Sequence, residues 1–239
     1  TGMMKSFYDE YEQARNIFQR ASDALGYNLW DVVSEDESDT LNKTEYTQPA
    51  MLTAGYIAWT IWNENNGPQP AVMAGHSLGE YTALVCSGVI TFEDAVSLVA
   101  ERGRLMQSAV TEGEGAGAAI VGLEDEAVIK ACAEAANGEI VEAVNFNSPG
   151  QVVIAGNKAA VEKAMQLCKD AKAKRALPLP VSVPSHSSLM SGAAEQLGDY
   201  LKNVTINKPT IAVLQNVDAA SHNEANDIAE CLTKQLHHP

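Results

Sequence analysis

Basic side chains are scarce in this sequence: Lys and Arg number 16 against 31 Asp and Glu, a formal net charge of −15 over 239 residues. A protein that coats nucleic acid needs a net basic face to displace counterions from phosphates, so that role is excluded and only local basic patches fit. Cysteine is sparse too. The four, Cys86, Cys132, Cys168 and Cys231, are scattered, with no CxxC pair and no His/Cys cluster at metal-ligand spacing. That excludes a disulfide framework and predicts thiols in a reducing compartment, with no metal site. Long apolar runs are absent: none reaches 18 residues, and no basic segment followed by an apolar one opens the chain. Neither a membrane span nor a secretory leader is predicted, and the expectation is a cytoplasmic protein.

What is present suffices for a core. Hydrophobic residues make up 46% and charged residues 20%, the balance of a folded protein rather than a disordered one. The length predicts one domain, or one carrying a large insertion. From Ser6 to Leu25 apolar residues recur at helical spacing, with Gly26 at the position of a C-cap. The polar stretch Ser34 to Thr40 reads as a loop. Thr47-Gln48-Pro49 then opens a buried helix, with proline in its first turn, that runs through Ile61. Ala71 to Gly75 is a short apolar run of the kind that forms a covered parallel strand. A helix from Leu78 to Ser87 follows, and Thr91-Phe92-Glu93-Asp94 resembles a capping box that starts another helix, to about Val110.

The middle of the chain changes character. Strands are predicted at Gly115 to Leu123, Glu139 to Asn145, Gln151 to Ala155 and Lys174 to Val181, with helices at Glu124 to Ala136 and Lys158 to Ala171. The order βαββαβ is the split unit of a ferredoxin-like domain, so an inserted subdomain is predicted at residues 112–181 within a larger α/β subdomain formed by 1–111 and 182–239. A helix near Leu189 to Leu201 and a strand near Thr210 to Leu214 return to the first pattern.

Gly75-His76-Ser77-Leu78-Gly79 is a GxSxG pentapeptide in the context that motif requires, an apolar strand before it and a helix after it. Such a turn is tight, so glycine is expected at both flanks because a Cβ would clash there. Ser77 then projects as a nucleophile, and the N–H of Leu78 at the helix start can stabilise an oxyanion. The plain alternative is a serine N-cap. An alkoxide nucleophile needs a base. His76 diverges from its neighbour at a sharp elbow, and His237 and His238 lie at a chain end. His186, in Val183-Pro184-Ser185-His186-Ser187, and His222, which follows Asp218 in the Ser, Asp, His order of a hydrolase triad, both stay open, with His186 favoured. Arg102 is by default a solvated helical arginine. Its functional reading is a bidentate clamp for a substrate carboxylate, and Gly103 beside it hints at close approach of another segment or a ligand.

Leu41-Asn42-Lys43-Thr44 with Thr47-Gln48-Pro49-Ala50, Gly75 to Tyr81, Arg102-Gly103 with Met106-Gln107, Val144 to Gly156 and Ala176 to His186 together resemble the malonyl-CoA:acyl-carrier-protein transacylases of bacterial type II fatty acid synthesis. The resemblance extends over nearly the whole chain. It implies an α/β-hydrolase-like large subdomain with a parallel sheet and an inserted ferredoxin-like one. It also implies a ping-pong transfer of malonyl from malonyl-CoA to the phosphopantetheine thiol of acyl carrier protein, with no cofactor and no metal. Ser77 is implied as nucleophile, His186 as general base and acid, Leu78 as oxyanion donor and Arg102 as the carboxylate's partner. Gln48, Met106 and Asn145 fall in segments that approach the family's site. The family's histidine is oriented by a backbone carbonyl, which weakens the case for Asp218 and His222.

By the same resemblance, a glutamine donor to the oxyanion precedes Thr1 and the histidine-holding carbonyl lies beyond the last residues, so the chain alone is expected to be a slow catalyst. The implied carrier is acidic, and Lys174 with Arg175, in the densest basic cluster, is expected to face it or the CoA phosphates. The protein is read as a monomer. Rival readings are a serine esterase or thioesterase, an acyltransferase piece of a polyketide or multidomain fatty acid synthase, and a non-catalytic carrier-binding fragment.

Overall fold

The computed structural model describes residues 1–35, 39–181 and 183–239. Part of the loop predicted at Ser34 to Thr40, residues 36–38, and Ser182 at the predicted subdomain boundary lie outside the described residues. Contacts divide the chain into two units, residues 1–104 with 197–232 and residues 105–196 with 233–239.

In the first unit, the segment predicted as one helix is two, α1 (Lys5–Glu10) and α2 (Glu12–Leu25), because Tyr11 adopts an extended backbone at φ −119° and ψ 119°. Arg15 Nη1 donates to the carbonyls of Tyr8 and Asp9 at 2.6 and 3.2 Å, satisfying acceptors that the break releases. Only one residue leaves the helix, so the apolar spacing survives and α2 still buries Ala14, Ile17, Phe18 and Ala21. It ends as predicted at Gly26, which takes the left-handed conformation at φ 81°. A short helix α3 (Leu29–Ser34) is capped by the Asn28 side chain.

The buried helix is α4 (Thr44–Glu64); it starts before Thr47, so Pro49 sits inside it rather than in its first turn. β1 (Val72–Ala74) leads into α5 (Leu78–Cys86), and α6 (Phe92–Ser108) begins where Thr91 Oγ1 accepts from the Asp94 N–H at 3.3 Å, half of the predicted box.

The second unit holds β2 (Gly115–Val121), α7 (Asp125–Ala136), β3 (Val141–Ser148), β4 (Gln151–Asn157), α8 (Lys158–Asp170) and β5 (Arg175–Pro178). The sheet order is β3-β4-β2-β5 with every neighbour antiparallel, the ferredoxin-like arrangement that the element order predicts. Alternation along β2 and β4 sends Ala118, Ile120, Val152 and Ile154 into a core shared with Val128 and Cys132 of α7 and Val161 and Cys168 of α8.

After it come α9 (Ser191–Leu201), β6 (Ala212–Leu214) and α10 (Ala225–Gln235). β6 pairs in parallel with β1, in register Val72 with Ala212. The parallel prediction for β1 holds, but the strand is not covered. Val72 is 47% exposed, since β6 is its one strand partner among the described residues. α10 has no counterpart in the sequence reading. No helix of the described residues is long and apolar enough to cross a membrane.

Candidate active site

Between the end of β1 and the start of α5 the chain has Gly75, His76 and Ser77 in which to reverse. Ser77 takes φ 51° and ψ −109°, a conformation that strains any residue bearing a Cβ by roughly 1–3 kcal/mol. Its side chain makes no capping bond to α5, so it is not the plain N-cap of the alternative reading. A Cβ on Gly75 would stand 2.0 Å from the carbonyl carbon of Gly79, which only glycine avoids. Gly79 corrects the expectation of two sterically required glycines, because its Cβ would meet nothing within 4 Å.

Asn216 holds the elbow from a distant part of the sequence. Its Oδ1 accepts from the Ser77 N–H at 2.8 Å and its Nδ2 donates to the Gly75 carbonyl at 2.7 Å. Asn216 is held in turn by its own N–H, which donates to Glu80 Oε2 at 2.9 Å, while Gln215 Nε2 donates to Glu80 Oε1 at 3.0 Å. Glu80 is fully buried on α5. These bonds over-determine the backbone at Ser77 and offset its strain. At the first position of α5, the N–H of Leu78 stands beside Ser77 where the helix leaves its first donors unpaired.

Arg102 corrects its default reading, since it is 1% exposed. The cause lies next to it: a Cβ on Gly103 would come 2.6 Å from Glu45 Cα and 2.7 Å from the Thr44 carbonyl, so glycine lets α6 close on the first turn of α4. That approach sets Arg102 Nη1 2.7 Å from Gln48 Oε1 and Nη2 3.2 Å from Ser77 Oγ. Gln48, also buried, is fixed by donating to Thr44 Oγ1 at 2.9 Å. The guanidinium carbon lies 5.2 Å from the centre of the Tyr81 ring. Burial holds the Arg102 pKa below its ordinary value and pushes the Tyr81 hydroxyl up to about 12. A buried guanidinium with a donor at the Ser77 oxygen suits an anionic group.

His186 belongs to the second unit and is 5% exposed. Its backbone is left-handed at φ 64°, with its N–H donating to the Leu236 carbonyl at 3.1 Å. Nδ1 lies 2.6 Å from the Gln235 carbonyl oxygen. A carbonyl only accepts, so Nδ1 carries the proton and Nε2 is the basic nitrogen. The orienting carbonyl is therefore within the chain, contrary to the expectation that it lies beyond the last residues. Glu142 on β3 fastens the segment after His186, accepting from Ser188 N–H and Oγ, both at 2.7 Å.

Of the other candidates, His76 is exposed. His222 Nε2 lies 2.7 Å from Asp218 Oδ2, the pairing that the triad reading needs, but no hydrogen bond joins it to Ser77 among the described residues. Met106 is buried on α6, Asn145 is half-buried where the β3–β4 register shifts, and Lys174 and Arg175 are exposed at the start of β5. The sequence reading missed Asn216, Gln215, Glu80 and the acceptor role of Gln235. Among the described residues Asp218, His222 and Cys231 form a titratable group suited to a metal, and none of the three is joined to Ser77 by a described bond.

The family model for the acyl transferase domain matches residues 1–239. A malonyl CoA-acyl carrier protein transacylase of Haemophilus influenzae is 57% identical, over 100% of this chain and 77% of its own length. The crystal structure of an acyl carrier protein S-malonyltransferase from Vibrio cholerae, 53% identical, superposes with a TM-score of 0.96 over 100% of this chain and 78% of that one. A malonyl-transacylase in complex with its type II polyketide acyl-carrier protein, 50% identical, gives 0.98 over 100% and 77%.

Proposed function

The chain belongs to the acyl transferase domain family, and from that membership and the surroundings of Ser77 we propose that it carries malonyl from malonyl-CoA to the phosphopantetheine thiol of acyl carrier protein, in fatty acid biosynthesis. It is an acyltransferase. Ser77 attacks the thioester carbonyl, the Leu78 N–H donates to the oxyanion, and the malonyl-serine forms as the CoA thiolate leaves. His186, basic at Nε2, takes the serine proton and gives it to the departing sulfur; it then deprotonates the carrier's thiol for the second half of the ping-pong course. No metal or cofactor enters either step. Met106 and Asn145 are proposed as contacts to the bound acyl group, Lys174 and Arg175 as contacts to the carrier, and residues 112–181 as the inserted subdomain.

One observation carries this reading: the buried Arg102 guanidinium donates to Ser77 Oγ. The free carboxylate of a malonyl ester is two bonds from its carbonyl carbon, so a guanidinium at Oγ can exchange that oxygen for the carboxylate. A neutral acyl group offers no such partner. An esterase would have no use for a buried cation there.

The test is mass spectrometry of the peptide containing Ser77 after the chain is mixed with malonyl-CoA or acetyl-CoA. Loss of one charge-assisted bond, about 1.5–3 kcal/mol, predicts that Arg102→Ala slows malonyl labelling roughly 10- to 150-fold. Acetyl labelling should change far less. Equal loss for both acyl groups, or no adduct on Ser77, would sink the reading.

A further inference from the structure

Behind the elbow lies a group of side chains that the transfer reaction does not use. After β6 the chain folds back on itself: the N–H of Gln215 donates to the Ala220 carbonyl at 2.9 Å, the N–H of Ala219 to the Gln215 carbonyl at 2.9 Å, and Leu214 bridges Ser221. Ala219 turns the corner at φ 53°, and Asp218 Oδ1 accepts from the Ala220 N–H at 3.0 Å. This hairpin presents Asp218 and His222, with side chains 39% and 26% exposed, toward Cys231 on α10, whose side chain is buried. One ligand atom from each of the three, a carboxylate oxygen, an imidazole nitrogen and a thiol sulfur, lies within 4.8 Å of the other two.

We infer that Asp218, His222 and Cys231 form a binding site for a zinc-type divalent transition-metal ion, which braces the hairpin against α10. The donor set argues for the class of ion. Magnesium and calcium take oxygen ligands, whereas a mixed S, N, O set suits zinc and cobalt. Zinc bonds are about 2.3 Å to sulfur and about 2.0–2.2 Å to nitrogen or oxygen, so tetrahedral neighbours stand roughly 3.3–3.6 Å apart. The present spread of up to 4.8 Å exceeds that spacing by about an ångström and the 2.7 Å contact of Asp218 with His222 falls short of it, so binding calls for side-chain shifts of that size. Carboxylate and thiolate together neutralise a divalent charge, and the two partly exposed ligands leave a path from solvent and a fourth position for water.

The ion's role is structural. The hairpin that it would fasten begins with Gln215 and Asn216, the residues that hold Glu80, Gly75 and the Ser77 amide. A brace there stiffens the support of the elbow without touching the reacting atoms.

The full chain, stripped with chelator, is titrated with Co²⁺ and followed by absorbance, a readout independent of acyl transfer. The expected result is one equivalent bound, with the visible bands of a tetrahedral site and a near-ultraviolet thiolate-to-cobalt band, both bleached by Zn²⁺ and untouched by Mg²⁺. Cys231→Ser should abolish the thiolate band. Asp218→Asn, at an exposed position that does not threaten folding, should weaken Co²⁺ at least tenfold. Absence of a thiolate band in the parent chain, its persistence in Cys231→Ser, or unchanged affinity in Asp218→Asn would each overturn the assignment.

Discussion

In the sheet of β2 to β5 the buried residues are small and apolar, Ala118, Ile120, Val152 and Ile154 against Val128, Cys132, Val161 and Cys168. Around Ser77 the buried groups are instead Glu80, Arg102, Gln48 and Gln215, each with a directional partner. Apolar burial has no direction and scales with area, so one side chain of the right size serves nearly as well as another. A polar network fails when a single partner is lost, because the remaining group is left desolvated and unpaired. The first region should therefore yield stability when altered, and the second, catalysis.

The largest effect belongs to Gly75. With a Cβ 2.0 Å from the Gly79 carbonyl carbon, Gly75→Ala must displace the elbow backbone by about an ångström, and a shift of that size costs at least about 10²-fold in rate. Gly79→Ala meets open space in a helix, where alanine is better than glycine by up to about 1 kcal/mol, so it should leave the rate of Ser77 malonylation within a few-fold. Equal losses in the two variants would refute the steric account of the turn.

Ile154→Ala probes the opposite region. Ile154 is fully buried in the sheet core, and truncation there costs about 2–5 kcal/mol, read as a lower urea midpoint. The malonylation rate of the molecules that stay folded should not change. A rate loss without a stability loss would erase the contrast between the regions.

The same contrast explains what the sequence made legible. The βαββαβ order needed only period-2 and period-3.6 apolar spacing and the turn residues between, and the sheet matches it. The candidate nucleophile Ser77 was legible because GxSxG lies between a strand and a helix. Asn216 was not, because its bond to the Ser77 amide spans 139 positions and an asparagine in a polar stretch carries no local sign of it. Gln235 was missed for a stricter reason: its backbone carbonyl is the acceptor, and every residue has one. The burial of Arg102 had a faint signal in the helical Gly103, whose purpose is the approach of α4.

Asn216→Ala tests the long-range part of the network. It removes the acceptor for the Ser77 amide and the donor to the Gly75 carbonyl. One unsatisfied group costs about 1–3 kcal/mol, so malonylation should slow by roughly 5- to 150-fold, mainly in kcat. Asn216→Asp keeps an acceptor and loses the donor, and should fall between. A pure KM effect would assign Asn216 to substrate binding rather than to the elbow.

The smallest effect asks whether the sheet region is only a core. Lys174 and Arg175 are exposed at the start of β5 on a chain of net charge −15, and a carrier of the acidic kind that the family resemblance implies would be repelled from this chain except near such a patch. Reversing both, Lys174→Glu with Arg175→Glu, should raise KM for the carrier by about three- to tenfold at low salt while leaving Ser77 malonylation from malonyl-CoA and the urea midpoint unchanged. The difference should shrink as ionic strength rises past about 0.15 M, where screening acts within about 8 Å. A KM that does not move would leave the β2–β5 unit as scaffold in this respect. A change that persists at high salt would mean that the pair packs against the carrier rather than steering it.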